Sequence, residues 1–361
     1  MNDTTTPLED VSHVPHTSMP LQGAQLPRYA PALAAVIALG IGALLALLAG
    51  FGPVAALSVA WLLLAVGLPA WSRAVEGSRK AADRVAGVLV WSAFALAMIP
   101  LVSLVWTVVT KGLPILSSQF FQNSMRGILG EGGGIYHAIV GTLIITALAT
   151  VISVPIGVLT AIYLVEYGKG SKLARVITFL VDVMTGIPSI VAGLFAYALF
   201  VIFFGPGVRM GFGGSVALSV LMVPIVVRAA EEMLKLVPDE LREAAYALGV
   251  PKWRTIVKVV LPTAVAGIVT GVTLAVARVA GETAPLLVIA GLTTGTNFNP
   301  FSERMATLPV YIFYAVTEPG IYDEEMTAYA WGAALTLVTL VMLLNVAARL
   351  IGGLFAPKTG R

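Results

Sequence analysis

The chain has 361 residues, of which 58% are hydrophobic and only 11% charged, against roughly 25% charged in soluble domains. A formal net charge of +3 says little by itself, whereas the absence of cysteine excludes disulfides, thiolate metal sites and cysteine nucleophiles. Mean hydropathy is +0.92, and several apolar runs approach or exceed the roughly 20 residues a bilayer-spanning helix needs, so the chain reads as an all-α polytopic membrane protein; a β-barrel would show short alternating segments instead.

Residues 1–30 are polar and rich in proline and threonine. They lack the basic start and short apolar core of a signal peptide and are expected to form a disordered cytoplasmic tail. His13 and His16 lie there and are read as tail residues rather than metal ligands. Eight spans follow, at about 31–49, 54–71, 85–108, 138–164, 176–204, 214–230, 263–290 and 327–354. Gly52-Pro53 joins the first two into a hairpin, 31–72, and a polar segment at 109–137 carries the glycine cluster GEGGG, 130–134. With the N-terminus inside, the alternation of eight spans puts seventeen Lys and Arg in cytoplasmic segments. Only Lys111, Arg126, Arg209 and Arg304 fall outside. That asymmetry predicts that both termini are cytoplasmic. Gly267 and Gly271 form a GxxxG step, read as general helix packing.

The longest cytoplasmic loop, 231–262, holds EAAYALGVPKWRTIVKVVLP at 243–262. Asp239 is a candidate N-cap with Glu240 behind it. Leu241, Ala244, Ala245 and Leu248 repeat as an apolar stripe. Gly249 suits a helix stop and Pro251 a helix start. A short amphipathic helix, a glycine turn and a second helix feeding the next span are expected. Such a stripe fits a partner groove or, equally, the lipid interface.

These residues resemble the EAA loop of ABC importer permeases, matching it in register at Glu243, Ala244, Ala245, Gly249, Val259, Leu261 and Pro262. The resemblance implies that the first helix docks in a separate cytoplasmic ATPase, with Glu243, Ala244, Ala245 and Gly249 as coupling residues. GxxxxGK[ST] is absent from the sequence, so the ATPase is expected on another chain.

In span seven, ARVAGETAPLL (277–287) places Arg278 and Glu282 four residues apart, which on a helix puts them on one face about 5–6 Å apart. Arg278 lies near mid-bilayer, about 24 Å along a helix from Pro262. An intramembrane charge marks either an internal ion pair or a wet pathway, and the arginine fork matches oxyanions. Gly281 and Pro285 weaken the helix beside the pair.

GETAPLL, together with GGIYHAIVGTL (133–143), IPSIVAGLF (187–195) and VPIVVRAAEEMLKLVPDELREAAYALG (223–249), is similar to the A-type permease subunits of phosphate importers. That resemblance implies a type I (MetI-like) six-helix core at 85–355, with 31–72 as an added hairpin. It implies an ATP-driven phosphate importer subunit in which Arg278, Glu282 and Arg228 contribute to the substrate pathway. The implied partners are a cytoplasmic ATPase dimer, a homologous C-type permease, an extracellular phosphate-binding protein and the lipid bilayer of a bacterial inner membrane. No nucleic acid, cofactor or catalysis in this chain is implied. An importer of another oxyanion, such as sulfate or molybdate, is the alternative.

Four residues also have bland readings. Arg228 also fits a snorkelling charge at the end of span six. Asp182 fits a structural pair or cap better than a phosphate contact. His137 reads as interfacial, and Ser189 as satisfying backbone that Pro188 frees. Only Asp182 and Glu282 of the acidic residues sit clearly within spans and no histidine does, so a proton-relay transporter lacks its relay. The in-register loop argues against a scaffold or receptor.

Overall fold

Helices form where the sequence runs apolar and stop where glycine or proline interrupts the backbone ladder. The computed structural model describes residues 25–128 and 132–355. Most of the expected tail, both of its histidines and the first two residues of the glycine cluster lie outside the described residues. The chain divides into two compact units, one ending at Leu104 and one beginning at Val105.

In the first unit, α1 (Ala30–Ala49) and α2 (Pro53–Val75) form the expected hairpin. Gly50 ends α1 at φ 70°, a backbone state open to glycine. Gly42 lets the two helices touch, since a Cβ there would fall 2.6 Å from the Ala56 carbonyl oxygen. α3 (Ser78–Gly112) starts earlier than the apolar run, because no breaker separates Arg79, Lys80 and Arg84 from it. Between α2 and α3, Glu76 accepts hydrogen bonds from the Leu26 N–H at 3.0 Å and the Ser72 hydroxyl at 2.7 Å. The Ser72 bond foremost, then the Leu26 N–H, holds its carboxyl below the ordinary 4.5, with the Arg84 charge adding to the effect.

The second unit continues with α4 (Ser118–Gln122), α5 (Tyr136–Ile162), α6 (Lys172–Thr185), α7 (Ser189–Phe204) and α8 (Gly211–Lys235). After α9 (Asp239–Ala247) and α10 (Lys252–Thr255) come α11 (Leu261–Ala280), α12 (Ala284–Ile289), α13 (Leu308–Thr317) and α14 (Asp323–Phe355). Among the described residues seven helices are long and apolar enough to cross a membrane, eight if α6 and α7 count as one bent span. That agrees with the eight expected spans.

Two of the spans are broken. The expected span 176–204 is α6 and α7 meeting at 109°, because Pro188 forces Ile187 out of helical geometry and offers no N–H. The expected span 263–290 stops at Ala280, and α12 begins only at Ala284. α13 was not foreseen. It is a short apolar helix between the expected spans 263–290 and 327–354.

The core of this unit is built on α5 and α8, with α11 and α12 packed against them through Ile145, Leu218, Met222, Val226, Ala275, Val279 and Leu286. Both glycines of the GxxxG step face α8: Gly271 abuts Ala229, and a Cβ on Gly267 would lie 2.7 Å from Met233 Cγ. The packing reading of that step holds. Many large apolar side chains remain exposed, Ile202 and Leu343 among them, as lipid-facing helix surfaces require.

Candidate functional site

Two features of the second unit carry chemistry or motion. One is the turn between α8 and α11; the other is a cavity where the two broken spans meet.

At the turn, α9 ends as the sequence predicts. Gly249 has φ 72°, its N–H donates to Tyr246 O, and Val250 N–H donates to Ala245 O, a glycine-dependent helix stop. From Pro251 a second helix follows, as expected, and it runs without a break from Lys252 into the span, ending at Ala280. Its ladder widens over Ile256–Val260, the turn preceding Pro262, whose ring crowds the carbonyl four residues back. Asp239 is not the N-cap. Pro238 holds that place, and Asp239 accepts from Arg242 instead. The apolar stripe divides as well: Ala245 is buried, while Leu241, Ala244 and Leu248 face outward with Glu243, all exposed.

Arg242 fastens α9 and was not foreseen as a site residue. Its guanidinium is buried and makes five hydrogen bonds, matching its five donors. Nε and Nη2 donate to Glu166 Oε1 at 3.1 and 2.9 Å, Nη2 to Leu234 O at 2.9 Å, and Nη1 to Val237 O at 2.6 Å and Asp239 Oδ1 at 3.1 Å. Leu234 O lies in the last turn of α8 and Val237 O just beyond its end, where carbonyls lack α-helical partners. Glu166 lies just beyond α5 and is itself buried. Lys252 Nζ rests 4.9 Å from the Tyr167 ring centroid, a second tie between the turn and the end of α5. The available signal was Glu166, a lone acid closing an apolar run, paired with an arginine next to Glu243.

The cavity, of about 220 Å³, is lined by Thr185, Ile187 and Ser189 at the α6–α7 bend, Leu221, Pro224 and Ile225 of α8, and Arg278 and Glu282. The close approach of the two breaks depends on Gly193, where a Cβ would lie 2.6 Å from Pro285 Cα. Arg278 and Glu282 line one cavity, as expected, but do not share a helix face. The helix stops between them, and they form no ion pair within 4.0 Å. The internal lock read from their spacing is therefore not formed. Ser189 lines the cavity, and its hydroxyl makes no hydrogen bond to backbone among the described residues, contrary to expectation.

Arg228 does not line this cavity. It sits two turns short of the end of α8 and pairs with Asp182 of α6 and with Glu231 Oε2 at 2.7 Å. Glu231 also binds Lys235 at 2.7 Å. The charge is neutralised within the protein, so it is not a snorkelling end residue, and Asp182 is the structural partner expected of it. Pro224 is one helical turn away, at the cavity wall. His137 is buried against the Tyr311 ring, with centroids 5.6 Å apart, rather than interfacial.

Comparison with known proteins gives the arrangement a context. The profile of the binding-protein-dependent transport system inner membrane component family matches residues 153–361. The phosphate transport system permease protein PstA 1 of Mycobacterium tuberculosis is 48% identical over 276 residues, covering 76% of this chain and 89% of that protein. The PstA protein of Yersinia pestis is 41% identical over 290 residues, covering 79% and 94%. Among solved structures, a chain of the inward-facing MetNI methionine ABC transporter aligns with a TM-score of 0.50 at 22% identity, covering 67% of this chain and all of that one. This likeness speaks to the fold alone, and confirms the MetI-like permease architecture. The chain belongs to the family of binding-protein-dependent transport system inner membrane components, in the group of PstA phosphate permease proteins.

Proposed function

We propose that this chain is the membrane-spanning permease subunit of an ATP-driven importer of inorganic phosphate. The observation that carries the reading is Arg278, an arginine without an ion pair among the described residues that lines a cavity between two broken spans. A charge in a span is costly unless it faces a wet interior, and a guanidinium fork matches a tetrahedral oxyanion. Glu282 on the same wall keeps binding weak enough for passage. Identity of 41–48% to proteins named as phosphate permeases points to phosphate over other oxyanions.

Arg228 acts in the same pathway by holding α6 to α8 beside the cavity. Glu243, Ala244, Ala245 and Gly249 couple the chain to a cytoplasmic ATPase dimer through the exposed face of α9. A homologous C-type permease completes the pathway, and an extracellular phosphate-binding protein delivers to it. Closure of the ATPases on ATP pulls α9, and α11 follows because the turn is stiff. Both termini are cytoplasmic, by the distribution of Lys and Arg. The six-helix core is 85–355, and the 31–72 hairpin is an accessory to it.

The test is uptake of radiolabelled phosphate by vesicles holding the assembled importer. Uptake requiring ATP and the partner ATPase supports the reading. Uptake driven by a proton gradient without ATP, or a preference for sulfate, overturns it.

A further inference from the structure

Three of the four basic residues assigned to the exterior converge on one loop. Gly291 follows α12 with φ 73°, and it is buried between two arginine stems. The position of a Gly291 Cβ would lie 3.2 Å from Arg209 Cδ and 3.3 Å from Arg304 Cδ. Gly295, four residues on, faces Arg126, with Cδ 3.6 Å from the corresponding point. The backbone builds this arrangement. Met210 N–H donates to Ile289 O at 2.9 Å and Met305 N–H to Ala290 O at 3.2 Å, so the residue preceding each donor, Arg209 or Arg304, is set beside Gly291. Asn297 Nδ2 braces the loop by donating to Ser302 O and Arg304 O at 2.7 and 3.2 Å.

None of the three guanidiniums has an ion pair or a hydrogen bond to any described residue, including Glu303 next to Arg304. Capping of the α12 carbonyls would explain two arginines, but they do not donate to those carbonyls. Arg209 is half-buried while Arg304 and Arg126 are exposed, so one loop presents three cationic stems without a described counter-charge, and an anion gains attraction from each head group within reach. α12 is six residues long, about 9 Å of helix, and its other end adjoins Glu282 and the cavity.

We infer that Arg209, Arg304 and Arg126 form an oxyanion-receiving vestibule at the outer mouth, one step before Arg278. It rests on the proposed function and orientation, and its ligand is a tetrahedral phosphoryl oxyanion. The vestibule accepts phosphate released by the binding protein and passes it along α12.

The test uses the assembled importer in phosphatidylcholine vesicles, with saturating phosphate-loaded binding protein. R209Q/R304Q is expected to lower phosphate uptake per complex roughly tenfold, the cost of losing charge-assisted hydrogen bonds. Binding-protein capture and stimulated ATP hydrolysis should stay within about twofold of the unmodified importer, as charges that act on the ligand alone leave docking intact. R209K/R304K should recover part of the uptake. Unchanged uptake in the glutamine pair overturns the proposal. So does a parallel loss of binding-protein capture, which would make the patch a docking surface. A lysine pair as impaired as the glutamine pair makes the arginines structural. A defect seen only when phosphatidylglycerol is added makes the ligand a lipid headgroup. Should the glutamine pair not assemble, R126Q decides, and normal uptake there overturns the vestibule. If the unmodified importer moves no phosphate, the proposed function fails instead.

Discussion

Arg242 and Arg278 show how the same side chain acts oppositely in two settings. Arg242 is buried with all five donors satisfied, so removing it strands Glu166 as an uncompensated charge. Breaking such a pair costs about 3–5 kcal/mol. Arg242→Ala is therefore expected to lower the melting temperature of the purified complex and to loosen α9, seen as loss of ATPase co-purification. Arg242→Met with Glu166→Gln should recover much of the melting temperature, because no charge is left unpaired. Arg278 has no ion pair among the described residues, so its removal strands no buried charge. Arg278→Gln is expected to lower phosphate uptake at least about tenfold, the scale of one lost charge-assisted hydrogen bond, with assembly unchanged. Equal loss of uptake and assembly would mark Arg278 as structural. Glu76 adds a pH effect. Its folded carboxyl lies below the ordinary 4.5, so its contribution is complete above that value and disappears as pH falls through the depressed one. Proteolysis within residues 25–30 should accelerate only in acid, and Glu76→Gln should remove that acid step.

At the scale of elements, α9 has a pinned inner face and a bare outer face, the geometry that the proposed lever role requires. Gly249 sets the angle at the pivot, and a side chain there costs about 1–2 kcal/mol in the left-handed region. Gly249→Val should uncouple the motor, with ATP hydrolysis persisting while uptake falls. Glu243→Lys should impair ATPase association while membrane insertion stays normal, and normal transport by that variant would remove α9 from the coupling role. The α7–α12 contact tolerates no bulk. Gly193→Leu should push Pro285 away and abolish uptake, whereas substitutions at Gly40, where nothing lies within 4 Å, should be silent.

For the whole molecule, the proposed pathway and the proposed lever both fall in the second unit, which begins at Val105. Removing 1–72 is expected to leave measurable uptake. Its complete loss, with the remaining chain properly inserted, would make the hairpin part of the working core.

The sequence by itself determined the spans, the glycine turn after α9 and the intramembrane charge at Arg278. Each follows from hydropathy, backbone preference or charge cost along a local stretch. Only the tertiary structure decided which charges meet. Arg242 reaches Glu166 across 76 positions, and Arg228 reaches Asp182 across 46, separations that no periodicity encodes. The same holds for Arg278 and Glu282. Their spacing fits an ion pair on an unbroken helix, but the chain turns out of the helix at Gly281, and its course past that point is set by how α12 packs on α7.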